Sequence, residues 1–165
     1  MTLNLNYRSG GLGAMMDEYE RAARDLFRVL SSCSQDEFTA NHENEDETMR
    51  SIQLIMQHVV RSSYGYINKI RKTMEIEVTA KAPVVVDSPA DAIEKLTASL
   101  SYNAATFEGR WKMTDEELDA VTMLAPWKVN YTLEQMLEHA IVHILRHRRQ
   151  IERLLGRDPI IASLF

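Results

Sequence analysis

The chain is predicted to be all-α, a four-helix bundle in one domain spanning residues 1–165, and three observations carry that prediction. Only six glycines and four prolines interrupt 165 residues, so long stretches run free of the residues that break helices. Apolar side chains recur at spacings of three and four in four separate segments, the period of a helix with one core-facing stripe. Capping signals stand at the starts of the last two of those segments. With 45% hydrophobic and 26% charged residues, the composition is that of a compact domain long enough to bury a core.

The elements follow in order. A lead-in with weak alternation at Leu3, Leu5 and Tyr7 ends in Ser9-Gly-Gly11; the lysine and hydroxyl residue of a phosphate loop do not follow these glycines. The first helix is expected from about Leu12 to Leu30, with Leu12, Met15, Met16, Tyr19, Ala22, Ala23, Leu26, Phe27 and Leu30 as its stripe. An acidic connection over 35–47 places negative charge where the second helix should begin. That helix carries Met49, Ile52, Ile55, Met56, Val59, Val60, Ile67 and Ile70 and ends near Met74, with His58 in its middle. The β-branched residues and Pro83 of 75–87 predict a long extended connection between helices two and three. Ser88-Pro-Ala-Asp91 then supplies a capping serine, a proline at the first helical position and an acid three residues after the serine. Helix three presents Ile93, Leu96, Leu100, Ala104 and Phe107 as far as about Glu108. After a short helical turn at Thr114-Asp-Glu-Glu117, Thr132 and Gln135 cap the fourth helix, which ends near Gly156 before Pro159.

Composition also narrows the function. No run approaches the roughly 20 apolar residues that cross a bilayer, and Met1–Arg8 lacks the basic and apolar regions of a secretory signal, so no membrane association and a cytoplasmic location are expected. A net charge of −5 argues against nucleic acid as a partner. The basic residues from Arg146 to Arg157 read as complements to a helix C-terminus. A lone Cys33 allows no internal disulfide and reads as a small half-buried residue rather than a nucleophile.

The chemistry is concentrated on the fourth helix. His139, His143 and His147 stand four residues apart, and with Met136, Gln150 and Leu154 they fall within about 40 degrees of one line down the helix. Two imidazoles one turn apart can converge on one metal ion, and His58 can complete a three-nitrogen site if its helix packs alongside. Helix geometry leaves the pairs 139/143 and 143/147 open. Small residues near His58, among them Ser62 and Gly65, leave room for a ligand. Ala140 and Ile144 stand where a zinc protease needs glutamate; of the Glu-x-x-His pairs that carboxylate-bridged di-iron bundles need on two helices, the second helix has none and the fourth supplies none facing inward. Glu134 and Glu152 lie about 180 degrees from His143, so a general base has to come from another element. Gln150 is a candidate second contact to the site, and Tyr64, Tyr66, Trp111 and Trp127 are candidate cavity residues.

The string His143-Ile-Leu-Arg-His147-Arg-Arg-Gln-Ile151, with His58 in the second helix and Pro126-Trp127 before Tyr131-Thr-Leu-Glu, resembles the DinB-like (YfiT-like) superfamily of metal-dependent enzymes, which includes bacterial thiol transferases. The resemblance covers nearly the whole chain. It implies His58, His143 and His147 as the metal ligands, with His139 and Gln150 as pocket or supporting residues. This sequence has Arg149 where glycine is frequent in the family, and it has the extra His139.

Two functions follow as expectations. The first is a metal-dependent enzyme acting on a small molecule, a thiol S-transferase or a hydrolase, in which a divalent ion on three neutral ligands acidifies a bound water or thiol. Zinc or nickel leads the candidates, with iron or manganese behind them, and a low-molecular-weight thiol is the implied co-substrate. The second is a non-catalytic metal-binding or stress-response interaction protein, whose site a fourth ligand such as His139 would close. A homodimer is expected from the resemblance.

Overall fold

A computed structural model describes residues 7–157 except residue 44. The lead-in positions Leu3 and Leu5 and the helix stop at Pro159 fall outside the described residues. In chain order the elements are α1 (Gly10–Ser31), α2 (Gln35–Thr39), α3 (Ile52–Thr73), α4 (Pro89–Thr106), α5 (Asp115–Ala120), β1 (Thr122–Leu124), β2 (Asn130–Thr132) and α6 (Leu133–Leu154). The fold is all-α, with α1, α3, α4 and α6 as its four long rods.

Side-chain caps fix where three of those rods begin. Ser51 accepts from the Leu54 N–H, Ser88 from Asp91 and Thr132 from Gln135, each contributing about 1 kcal/mol to its helix. The Ser51 cap leaves Met49 outside α3, where the apolar period alone had included it. No side chain caps α1; instead Arg8 clamps its first turns, donating to Asp17 and Glu20, each at 2.6 Å.

The rods form a ring in which α1 packs on α4 and α6, and α3 does the same, so α1 and α3 are diagonal. Met16, Tyr19, Leu26 and Leu30 of α1 meet Ile55, Met56 and Val59 of α3, Leu96 of α4, and Ile144 and Ile151 of α6 in the main core. A second cluster of Leu12, Ile70, Phe107, Leu118, Met123 and Leu133 fills one end. The connection between α3 and α4 has no strand, and it is tied down by Arg71, which donates to the Glu77 carbonyl at 2.7 Å.

Three features depart from the sequence expectation. The acidic connection contains α2, opened by a Ser34/Glu37 capping box that seats Phe38 in the core. Residues 122–132 make an antiparallel hairpin, with Met123 opposite Tyr131, whose loop carries Pro126 and Trp127. On α4, Ile93 and Ala104 are only partly buried while Ser99, Asn103 and Thr106 are buried. Hydrogen bonding explains this reversal. Tyr19 donates to the Ser63 hydroxyl at 3.1 Å, Ser63 and Ser99 share a 2.7 Å bond, and Asn103 donates to the Ser99 carbonyl at 2.8 Å. Arg71 Nε donates to the Thr106 hydroxyl at 2.7 Å. Buried polar groups satisfied in this way cost little.

Candidate metal centre

The ring arrangement sets α3 beside α6, and the two helices bring three histidines together. On α6 the buried line runs Ala140, His143, Ile144, His147, Ile151. Ile144 and Ile151 join the main core, and the two histidines take the neighbouring positions that face α3. His143 and His147 are 7% and 6% exposed, and His58 on α3 is half-buried.

The rings form a nearly equilateral triangle, with centroids 4.9 Å apart for His58–His143, 5.0 Å for His58–His147 and 4.5 Å for His143–His147. One nitrogen of each lies within 4.8 Å of the other two, and the Nε2 atoms of His58 and His143 are 2.9 Å apart. Two nitrogens bound tetrahedrally at about 2.0–2.1 Å from one ion sit roughly 3.3 Å from each other. The 2.9 Å separation and the 4.8 Å limit bracket that value, and three imidazole nitrogens are a donor set that could hold a transition-metal ion.

The electrostatics favour neutral, ligand-ready rings. Burial, then the charges of His147 and Arg61, push His58 down to about 4. Burial, with the other site histidines and Arg146 adding to it, pushes His143 down to about 3. His147 is also lowered by burial, against an upward pull from its bond to Gln150.

That bond selects a tautomer. His147 Nδ1 lies 3.0 Å from Gln150 Oε1, and Gln150 Nε2 donates to Glu45 at 3.3 Å, which fixes the amide with its oxygen toward the ring. Nδ1 therefore carries the proton, and Nε2 keeps its lone pair for the site. Arg153 holds the other Glu45 oxygen at 2.6 Å. Glu45 is a supporting residue the sequence reading missed. It sits in the acidic run before α3, where charge at a helix start is a sufficient explanation, and only folding reveals its contact with α6.

His139 takes a different position. It stacks on Trp127 with centroids 5.1 Å apart, edge-on to Tyr66 at 5.3 Å and Tyr131 at 5.6 Å, and it is not among the three converging histidines. The hairpin loop that carries Trp127 therefore fixes His139 in an aromatic cluster beside the triangle.

Two cavities reach His58. A groove of 480 Å³ runs past Ser62, Gly65 and Tyr66 under Trp127 and Met136. On the other side, 720 Å³ opens between Met49, Leu54, Arg61 and Pro83. The cluster is thus open at His58. Of the four aromatic candidates, Tyr66 and Trp127 line the groove, while Tyr64 packs at a tilt against Tyr102 and Trp111 packs between Phe107 and Arg8. Cys33 stands apart from all of this, its thiol pushed up by burial and by Glu37, as suits an inert residue.

Among the described residues no helix is long and apolar enough to cross a membrane. No match to a curated protein is found. The family model of the DinB family matches residues 3–163. The chain belongs to the DinB family, and its three-histidine cluster fits a metal-binding protein.

Proposed function

We propose that this DinB-family bundle is a metal-dependent enzyme acting on a small molecule, with His58, His143 and His147 as ligands to a divalent transition metal. The observation that supports this reading best is the convergence of one nitrogen from each ring within 4.8 Å beside a cavity that reaches His58. When bound, a divalent ion on three neutral ligands supplies an uncompensated positive charge that acidifies a water or thiol.

Of the two chemistries, thiol S-transfer fits better than hydrolysis. A free thiol ionises near 8.5, whereas water needs far more help. No carboxylate base stands ready on α6: Glu134 and Glu152 lie on the opposite side of the helix by its repeat, and Glu152 also faces Arg148 at 3.6 Å. In the transfer, the thiolate sulfur forms a bond to an electrophilic carbon as the leaving group departs with its electron pair. The chain's own contributions are to orient His147 through Gln150 and to line the approach with Tyr66 and Trp127, which exclude water from the reacting end.

The second reading is a non-catalytic metal-binding or stress-response protein, which requires closure by a fourth protein ligand. The stacking of His139 on Trp127 weighs against it. Metal analysis after growth with zinc, nickel, iron and manganese tests the site: stoichiometric metal is expected in the wild type and none in His58→Ala or His147→Ala. Glutathione, bacillithiol or mycothiol is then paired with electrophiles. Thiol consumption above the His147→Ala background supports the transferase; metal without turnover in any pairing moves the reading to the non-catalytic protein. The homodimer implied by the family is part of this proposal, and light scattering checks it.

A further inference from the structure

The α3 wall of the groove changes character along its length. His58, Ser62, Gly65, Lys69 and Lys72 all line it, at spacings of four, three, four and three, so they form one row down the helix. Trp127 and Met136 face that row from the other side. At about 1.5 Å per residue the row runs roughly 16 Å from the His58 backbone to Lys69 and roughly 21 Å to Lys72. Polar and metal-ligating at one end, apolar in the middle and cationic at the other, the groove has three distinct zones.

Lys95, Arg153 and Arg157 each meet a carboxylate, at 2.6, 2.6 and 3.1 Å. Lys69 and Lys72 have no such partner among the described residues, although Lys69 is partly buried. Like charges three residues apart on a helix repel by a few tenths of a kcal/mol. The C-terminal carbonyls of α3 relieve this for Lys72 in the last turn but act less on Lys69, since the dipole's influence fades beyond one turn. The middle of the groove is clear: a Cβ added at Gly65 would meet nothing within 4 Å.

We infer that the groove takes an elongated anionic small molecule, its carboxylate or phosphate held by Lys69 and Lys72, its apolar body between Gly65 and Trp127, and its reacting end at the histidines. The reacting end rests on the metal-enzyme reading; the anion site does not. A neutral analogue of the same shape keeps the contact with Trp127 and loses the charged one, so the groove discriminates by charge at the end remote from the chemistry.

The test uses Trp127 as its reporter in a Trp111→Phe background, since the chain has two tryptophans. The probes are 6-phenylhexanoate, its neutral amide and 5-phenylpentyl phosphate, titrated at low salt. Both anions are expected to quench Trp127 and to bind about tenfold more tightly than the amide, a preference that salt weakens. Lys69→Gln/Lys72→Gln should erase that preference and leave amide binding unchanged, with circular dichroism confirming the helices. The preference should survive in metal-stripped protein and in His147→Ala, so a failed metal centre leaves this result standing. If phosphate alone is preferred, the site is narrowed to phosphate. Equal binding of amide and anions, a preference that outlasts the lysine substitutions, or no quenching by any probe overturns the inference.

Discussion

Helix α3 buries polar groups on two sides, and the two seams are built differently. Toward α4 and α1 the polar atoms close on one another: Tyr19 on Ser63, Ser63 on Ser99, Asn103 on the Ser99 carbonyl and Arg71 on Thr106. Toward α6 the rings of His58, His143 and His147 face each other with only the 2.9 Å His58–His143 contact between them, and a cavity opens at His58. A closed seam serves the fold, because every group has its partner within the chain. An open seam of imidazole nitrogens beside a cavity is available to an external partner in a way the closed seam is not, and this contrast is what supports the α3–α6 side as the candidate site.

Substitutions should separate the two seams. The largest effect is expected from His143→Ala, which removes one of the three proposed ligands: zinc affinity should fall more than about 100-fold, beyond the range of supporting-residue losses, while the helical spectrum persists. Calorimetric zinc titration measures this, and undiminished affinity would place the ion elsewhere. On the closed seam, Arg71→Ala removes the charge-assisted bonds to the Thr106 hydroxyl and the Glu77 carbonyl, while Thr106 keeps its bond to the Tyr102 carbonyl; it should cost about 2–4 kcal/mol of folding stability in urea, with zinc affinity unchanged in the folded protein. Loss of zinc binding there would mean that the seams are coupled.

Acid should distinguish the seams as well. His58 and His143 fall to about 4 and about 3 in the folded chain from an ordinary value near 6.5, so in that interval the unfolded chain binds protons the folded chain refuses. Their contribution to metal-free stability is fully present above about 6.5 and is lost as pH drops through the folded values. The urea midpoint of metal-free protein should therefore fall from about pH 7 to about pH 5 by more than that of His58→Gln/His143→Gln; equal falls would show that the rings are not held neutral by burial. Smaller still is Gln150→Ala, expected to weaken zinc about tenfold, since it frees the His147 tautomer. Gly65→Ala is expected to stabilise α3 by up to about 1 kcal/mol in thermal melts, because its Cβ enters open space; destabilisation would mean the groove is narrower than described.

The four rods were legible because each announces itself locally through a three-and-four stripe, and α4 and α6 also through the capping residues Ser88 and Thr132. The α2 signal was present in Ser34 and Glu37, but five residues are too few for a period to register. The strands Thr122–Leu124 and Asn130–Thr132 are shorter still and depend on each other. Ser99 and Thr106 lie outside the apolar stripe of the third helix, and nothing local marks them as buried because their partners Ser63 and Arg71 lie more than thirty residues away. The histidine row was legible for the same local reason as the rods. Helix geometry could not choose between the pairs 139/143 and 143/147, because that choice depends on which turn of α6 faces α3 and on the hairpin loop that brings Trp127 over His139.

The most direct measurement is anomalous diffraction at the zinc edge from crystals of zinc-loaded protein. A single strong peak about 2.0–2.1 Å from one nitrogen each of His58, His143 and His147, with at least one coordination position facing the groove, is the predicted result. No peak among these rings, with His58 and His143 still hydrogen-bonded to each other, would contradict it.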